Sequence, residues 1–272
     1  MTDVSLASST REAVTLLQRT ADLRGQATRR LSTGLRVARA SDDAPAFFQA
    51  KALSNRVRGL LQAKDDVGQG VSAVETALVG LDAIEDLSKQ LKGLALSVRG
   101  ASAQERLAAA EQFDLLRGQI TSLANDAGLN GTGLIGANPS DLSVPVNETG
   151  ATVTISSTAS DAAGLGISTA AGSFNNFATD ANIDAAVKQL NGAIASIRRR
   201  AAGFGSSVAS LQVRSNFIDD LTQTLDAGAA KLVDADLGEE SARLLSSQLR
   251  QQLGVETLRV AGQSTSLIAQ LL

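Results

Sequence analysis

The sequence has 272 residues and lacks His, Cys, Trp and Tyr, so it offers no imidazole base, thiol nucleophile, disulfide or soft-metal ligand set. Its formal charge of −3 comes from 25 basic and 28 acidic residues interspersed along the chain, which gives no case for a nucleic-acid partner. Hydrophobic residues make up 43%, but no uninterrupted run approaches the ~18 needed to span a bilayer, so no membrane insertion is expected; the core must be built from Ala, Leu, Val and Ile in long, thin helical packing.

Three prolines, Pro45, Pro139 and Pro145, partition the chain, because proline interrupts a helix interior. Residues 1–40 carry scattered apolar positions (Val14, Leu17, Ala21, Leu31) among Thr, Ser, Arg and Gln and read as a weakly amphipathic helix. Asp42, Asp43 and Pro45 then mark a helix start. A heptad stripe follows at 57, 60, 64, 67, 71, 74, 78 and 81, broken only by Lys64, and a second phase runs through Ile84, Leu87, Leu91, Leu94 and Val98. Ser102 and Glu105 form a capping box for a further helix with the stripe Ala109, Phe113, Leu116, Ile120, Leu123 and Ala127, which Gly128 is placed to end.

From about 129 to 178 the chain turns to Gly, Ser, Thr and Asn with short alternating segments such as Ala151–Ser156, the chemistry of strands and turns; Asn130–Gly131 and Glu148–Gly150 are turn candidates. A stripe stepping by fours and threes then runs from Ile183 to Leu232, apolar except at Ser215 and Thr222. One helix of that length would be ~75 Å long and would pack against other long helices, although Gly192, Gly203, Gly205 and Gly228 weaken the case for an unbroken rod. A final helix over 237–272 places Leu245, Leu249 and Leu253 at steps of four and Leu253, Val260 and Leu267 at steps of seven.

Several short motifs carry no chemistry of their own. Gly131-Thr-Gly133-Leu-Ile-Gly136 matches a dinucleotide fingerprint, but a helix precedes it and Asn138–Pro139 follows, so its glycines read as turn formers. Asp180-Ala-Asn182-Ile-Asp184 opens like a calcium loop but has Ala185 where Gly is required, and reads as the cap of the long helix. Arg198–Arg200 reads as a solvated face, with a subunit salt bridge second. Asn130-Gly-Thr132 and Asn147-Glu-Thr149 are sequons with no secretory segment beside them, and the Thr152–Ser160 stretch reads as strand and turn before sugar acceptor. No paired carboxylates or serine triad assemble, so no enzyme activity and no cofactor or metal are expected.

The segments Arg30-Leu-Ser-Thr-Gly-Leu-Arg36, Ser41–Ala46 and Phe47–Arg56 closely resemble the N-terminal signature of bacterial flagellins, and Gln251–Gln263 through Leu272 is similar to their C-terminal signature. Phe47–Phe48 and Asn175–Phe177 resemble the alphaproteobacterial branch. The resemblance implies a mainly α fold: a long coiled-coil-like helical bundle with a small β-rich insert, the termini pairing as a coiled coil in a filament. Residues 1–44 and 234–272 would be the filament-core segments, 45–138 and 179–233 the bundle domain and 139–178 the variable insert. It further implies a self-polymerising, extracellular structural subunit, exported unfolded through the flagellar channel without a cleaved signal peptide. Its partners would be copies of itself, hook-filament junction and cap proteins and an export chaperone; a junction protein is the alternative. Val14, Leu17, Leu31, Leu253, Val260 and Leu267 are the expected subunit-packing residues. Two departures are notable: Leu272 replaces the usual final Phe, and Gln90 and Gly93 replace an Arg and a Glu in the stretch read by the vertebrate flagellin receptor, so weak activation of that receptor is expected.

Overall fold

Asp43 starts the second helix as its sequence demands, its carboxylate accepting the Ala46 N–H at 3.1 Å, with Pro45 in the first turn where a missing N–H costs nothing. The structure is a computed structural model that describes the backbone of residues 2–271 and the side-chain surroundings of residues 11–260 and 263. The elements run α1 (Thr2–Thr33), α2 (Ala44–Ser97), α3 (Ala103–Asp126), β1 (Gly128–Leu129), β2 (Thr132–Gly133), β3 (Leu142–Pro145), β4 (Thr152–Ile155), α4 (Ala170–Ser173), a 3-10 turn at Asn175–Phe177, α5 (Asp180–Val233) and α6 (Leu237–Leu271). The fold is thus mainly α, with two small antiparallel sheets. Its contacts divide into two units, Met1–Asn55 with Thr224–Leu272, and Arg56–Gln223; α2 and α5 contribute to both.

In the Arg56–Gln223 unit the predicted stripes are the core. Val57, Leu60, Val67, Val74 and Leu81 of α2, Phe113 and Ile120 of α3, and Ile183, Leu190, Ile197, Phe204, Leu211 and Ile218 of α5 are all buried. Lys64, the break in the α2 stripe, reaches across to Asp219 of α5 at 2.7 Å. The glycines of α5 do not break it: it is one helix of 54 residues. The Ser102–Glu105 capping box forms in both directions. Gly128 does not end α3, however; Ala127 does, its N–H bonded to the Leu123 carbonyl, and Gly128 enters β1, where a Cβ would lie 3.1 Å from the Thr132 carbonyl oxygen.

The insert is fastened onto the helices of its own unit. Asn130 (φ 51°) and Gly131 (φ 81°) make the two-residue turn joining β1 to β2, as their sequence signals, and β3 pairs with β4 with Val144 opposite Val153. Gly59 and Gly70 let the insert lie close on α2, and Gly80 lets the end of α3 do so. A Cβ at Gly70 would meet Val144 at 2.7 Å, and one at Gly80 would meet the Ala127 Cβ at 2.5 Å. Arg200 donates to the carbonyls of Ala159 and Gly164, and Arg117 to that of Ile167, so guanidinium groups hold the irregular backbone where no ladder does. Phe113, Phe174 and Phe177 meet edge-on or stacked within 6.2 Å, and burying Phe177 holds its backbone at φ 60°, an uncommon conformation for a bulky residue.

Candidate self-association surface

In the other unit α1 and α6 pair antiparallel, with Arg30 bonded to Glu240 at 2.7 Å and Arg24 to Gln251 at 2.8 Å. Gly34 (φ 71°) ends α1 and donates to the Arg30 carbonyl; the following strand-like residues donate to the Val233 carbonyl, and Ala235 returns a bond to Gly34. Asp236 caps α6 through the Gly238 and Glu239 N–H groups.

The residues of α6 that turn away from solvent are Glu240, Leu244, Ser247, Gln251, Gly254 and Leu258, a four-three repeat made mostly of polar and small side chains. Opposite them α1 presents Ala13, Leu17, Thr20, Ala27 and Leu31. A methyl group on Gly254 would sit 2.7 Å from Leu17 Cδ2, so the seam is narrow as well as poor in large apolar groups.

Most of the large apolar residues of α6 lie on its other side. Leu245, Leu249, Leu253 and Val260 are between 52% and 67% exposed. At ~100° per residue their stripe points about 180° away from the seam. On α1, Val14, Leu16 and Leu23 are exposed too. An ordinary surface helix buries its leucines and shows its polar face to water; α6 buries part of Leu244 and Leu258 but turns Leu245, Leu249 and Leu253 outward. Contiguous exposed apolar rows are uncommon on protein surfaces, and larger ones go with interaction sites.

Among the expected packing residues, Val14, Leu253 and Val260 lie on this exposed surface, whereas Leu17 and Leu31 are half-buried in the seam. The side chain of Leu267, and Leu272, lie outside the described residues. The expected packing set also lacks Leu16, Leu23, Leu245 and Leu249; the i, i+7 step of Leu16 and Leu23 is the signal that could have found the first two.

The decoy motifs are absorbed by the scaffold. Gly131 sits in the hairpin turn and the chain continues into β2, so no helix N-terminus faces the glycines. Thr179, rather than Asp180, caps α5, and the two aspartates pair with arginines, Asp180 with Arg106 at 2.6 Å and Asp184 with Arg99. Arg198–Arg200 is not simply a solvated face: Arg198 pairs with Glu85 at 2.8 Å and Arg200 is spent on the insert, leaving Arg199 exposed. Burial and the neighbouring Arg199 lower the Arg200 pKa, but a guanidinium stays charged. No helix among the described residues is long and apolar enough to cross a membrane.

Comparison with known proteins places both ends of the chain in one family. Residues 4–138 match the bacterial flagellin N-terminal helical region and residues 182–272 the bacterial flagellin C-terminal helical region. Flagellin FljO of Caulobacter vibrioides is 33% identical over 244 residues, covering 89% of this chain and 88% of the relative. A flagellin of Brucella melitensis, also an alphaproteobacterium, is 29% identical over 250 residues, 89% of each chain. A flagellar hook-associated protein of Vibrio parahaemolyticus shares the fold, with a TM-score of 0.60 at 15% identity over 71% of this chain and all of that one. With two terminal regions matched in order and a relative aligned over most of both lengths, the chain belongs to the bacterial flagellin family.

Proposed function

We propose that this chain is a non-enzymatic structural subunit that polymerises with copies of itself into the extracellular flagellar filament used for motility. The outward leucine stripe of α6, which no described residue covers, is the observation that carries the reading. Contacts of this head-to-tail kind do not close and so propagate into a helical fibre. In this reading residues 1–44 and 234–272 form the filament core, 45–138 and 179–233 the surrounding bundle and 139–178 the variable insert. Val14, Leu253 and Val260, together with Leu267, pack against neighbouring subunits, and Leu17 and Leu31 set the seam that presents them.

Ordering a residue costs roughly 1–2 kcal/mol, and a seam of Thr20, Ala27, Ser247 and Gly254 offsets little of that. The ends therefore gain most of their order on assembly. A chain whose ends fold late suits export in unfolded form through the flagellar channel, with a chaperone holding it beforehand and junction and cap proteins bounding the polymer. A junction protein between hook and filament is not favoured, since the relatives aligned over most of both lengths are flagellins. Electron microscopy after salt-induced polymerisation tests the reading: ordered tubes are expected from the full chain. Removing about 30 C-terminal residues should leave a soluble monomer with the Arg56–Gln223 unit folded. Normal fibres from the truncated chain would refute it.

A further inference from the structure

A cleft of about 680 Å³ lies where α1 ends and the chain turns towards α2, lined by Arg29, Arg30, Arg36, Arg39 and Asp42. Arg30 is engaged by Glu240, and Arg36 donates to the Leu232 carbonyl at 2.8 Å. The guanidinium groups of Arg29 and Arg39 have no hydrogen-bond or ion-pair partner among the described residues. Asp42, the one acidic group in the lining, already accepts the Ala38 and Arg39 N–H groups through Oδ2. Arg36 also lies 3.9 Å from Asp43, so the uncountered charge of the concavity comes from Arg29 and Arg39, whose planar forks suit carboxylate oxygens.

The chain carries a matching surface elsewhere. Asp65, Glu75 and Asp82 on α2 are exposed and have no partner among the described residues. At ~100° per residue they fall within an arc of about 100° on the helix. Leu61 and Val79, 44% and 69% exposed, share that arc, so the face is both acidic and apolar with none of the described residues laid on it. We propose that the arginine cleft is a contact between copies, filled by carboxylates of the Asp65–Asp82 face of α2 in a second copy. The inference rests on the polymerisation proposed above and names one of its charged contacts. Such a contact fixes register and rate of docking more than it adds apolar burial.

Charge reversal in the full-length chain tests it. The critical concentration for growth on preformed seeds is measured for wild type, R29E/R39E, D65K/E75K/D82K and the combination, with circular dichroism confirming folded monomers. Each set alone is expected to raise the critical concentration on the order of tenfold, and the combination to return it to within about threefold of wild type. The milder R29Q/R39Q should fall between wild type and reversal. An unchanged value for either set, or a combination no better than the worse single set, overturns the contact. Tight binding of inorganic phosphate to the monomer by calorimetry, lost in R29E/R39E while polymerisation is unchanged, also overturns it by making the cleft a free-anion site. A wild-type chain that does not polymerise would instead sink the filament reading itself.

Discussion

Replacing Leu245, Leu249 and Leu253 with Gln should cripple assembly while leaving the monomer almost untouched. The three side chains are 58%, 52% and 67% exposed in the single chain, so more than half of each remains to be covered. Complete burial of a leucine contributes about 1.5–3 kcal/mol, which puts the uncovered share at roughly 1–2 kcal/mol each and about 3–5 kcal/mol for the stripe. At ~1.4 kcal/mol per tenfold, the triple variant should raise the critical concentration by roughly two to three and a half orders of magnitude, and Leu249→Gln alone by about tenfold. Gln has nearly the helix propensity of Leu, and none of the three faces the α1 seam, so the melting temperature of dilute monomer should hardly move. The assay is sedimentation of polymer grown on wild-type seeds across a concentration series. A triple variant that assembles at the wild-type critical concentration would refute the assignment of this face to subunit contacts.

Three further outcomes concern the Arg56–Gln223 unit. Gly80→Ala sets a methyl 2.5 Å from the Ala127 Cβ, which cannot yield without backbone movement, and should cost ~1–3 kcal/mol; Gly68→Ala meets nothing within 4 Å and should stabilise by up to ~1 kcal/mol. Opposite shifts in denaturation midpoint are expected, and equal shifts would refute the close-approach argument. Phe113→Ala removes the centre of the phenylalanine cluster and should cost ~3–5 kcal/mol by urea unfolding, with a loss under ~1 kcal/mol counting against that centre. Glu85 is held below its ordinary pKa by the Arg198 hydrogen bond, Glu105 by the Ser102 N–H and hydroxyl, and Asp141 by those of Ser157. Depressed carboxylates stabilise the fold above their unfolded pKa and lose that contribution as pH falls through the lower folded value. The urea midpoint should therefore drop between about pH 5 and pH 2, less steeply in Glu105→Gln; a flat profile would contradict the linkage.

The long stripes were legible because in α2, α3 and α5 one period of apolar residues coincides with one buried face, and so were the capping box and the Asn130–Gly131 turn, whose partners lie within a few residues. What stayed hidden depends on partners far along the chain. Nothing near Gly70 announces that Val144 will rest on it, and nothing near Arg200 announces the carbonyls it will hold. Helix α6 shows a different limit. Leucine spacing finds its stripe, but only the placement of Glu240, Ser247, Gln251 and Gly254 against α1 shows that the leucines face outward, and spacing alone drew Leu17 and Leu31 into the same set although they serve the seam.

The seam itself yields a test of whether folding and assembly are coupled. Glu240, 4% exposed and bonded to Arg30 and Arg243, fixes how the two helices align rather than adding apolar area. Gln251 is half-buried there and spends its amide oxygen on the exposed Arg24. Gln251→Leu exchanges that bond for apolar contact and should stabilise the α1–α6 pair of the monomer by ~1 kcal/mol, read as slower proteolysis of the ends. If the assembly-competent pair is a minor population, raising that population lowers the apparent dissociation constant by the same factor, so the critical concentration should fall up to about fivefold. If the pair is already fully formed, there is no population left to gain. A variant with better-protected ends and an unchanged critical concentration would therefore show that the ends are ordered before assembly, and the coupling argument would fail even though the leucine stripe remained the contact surface.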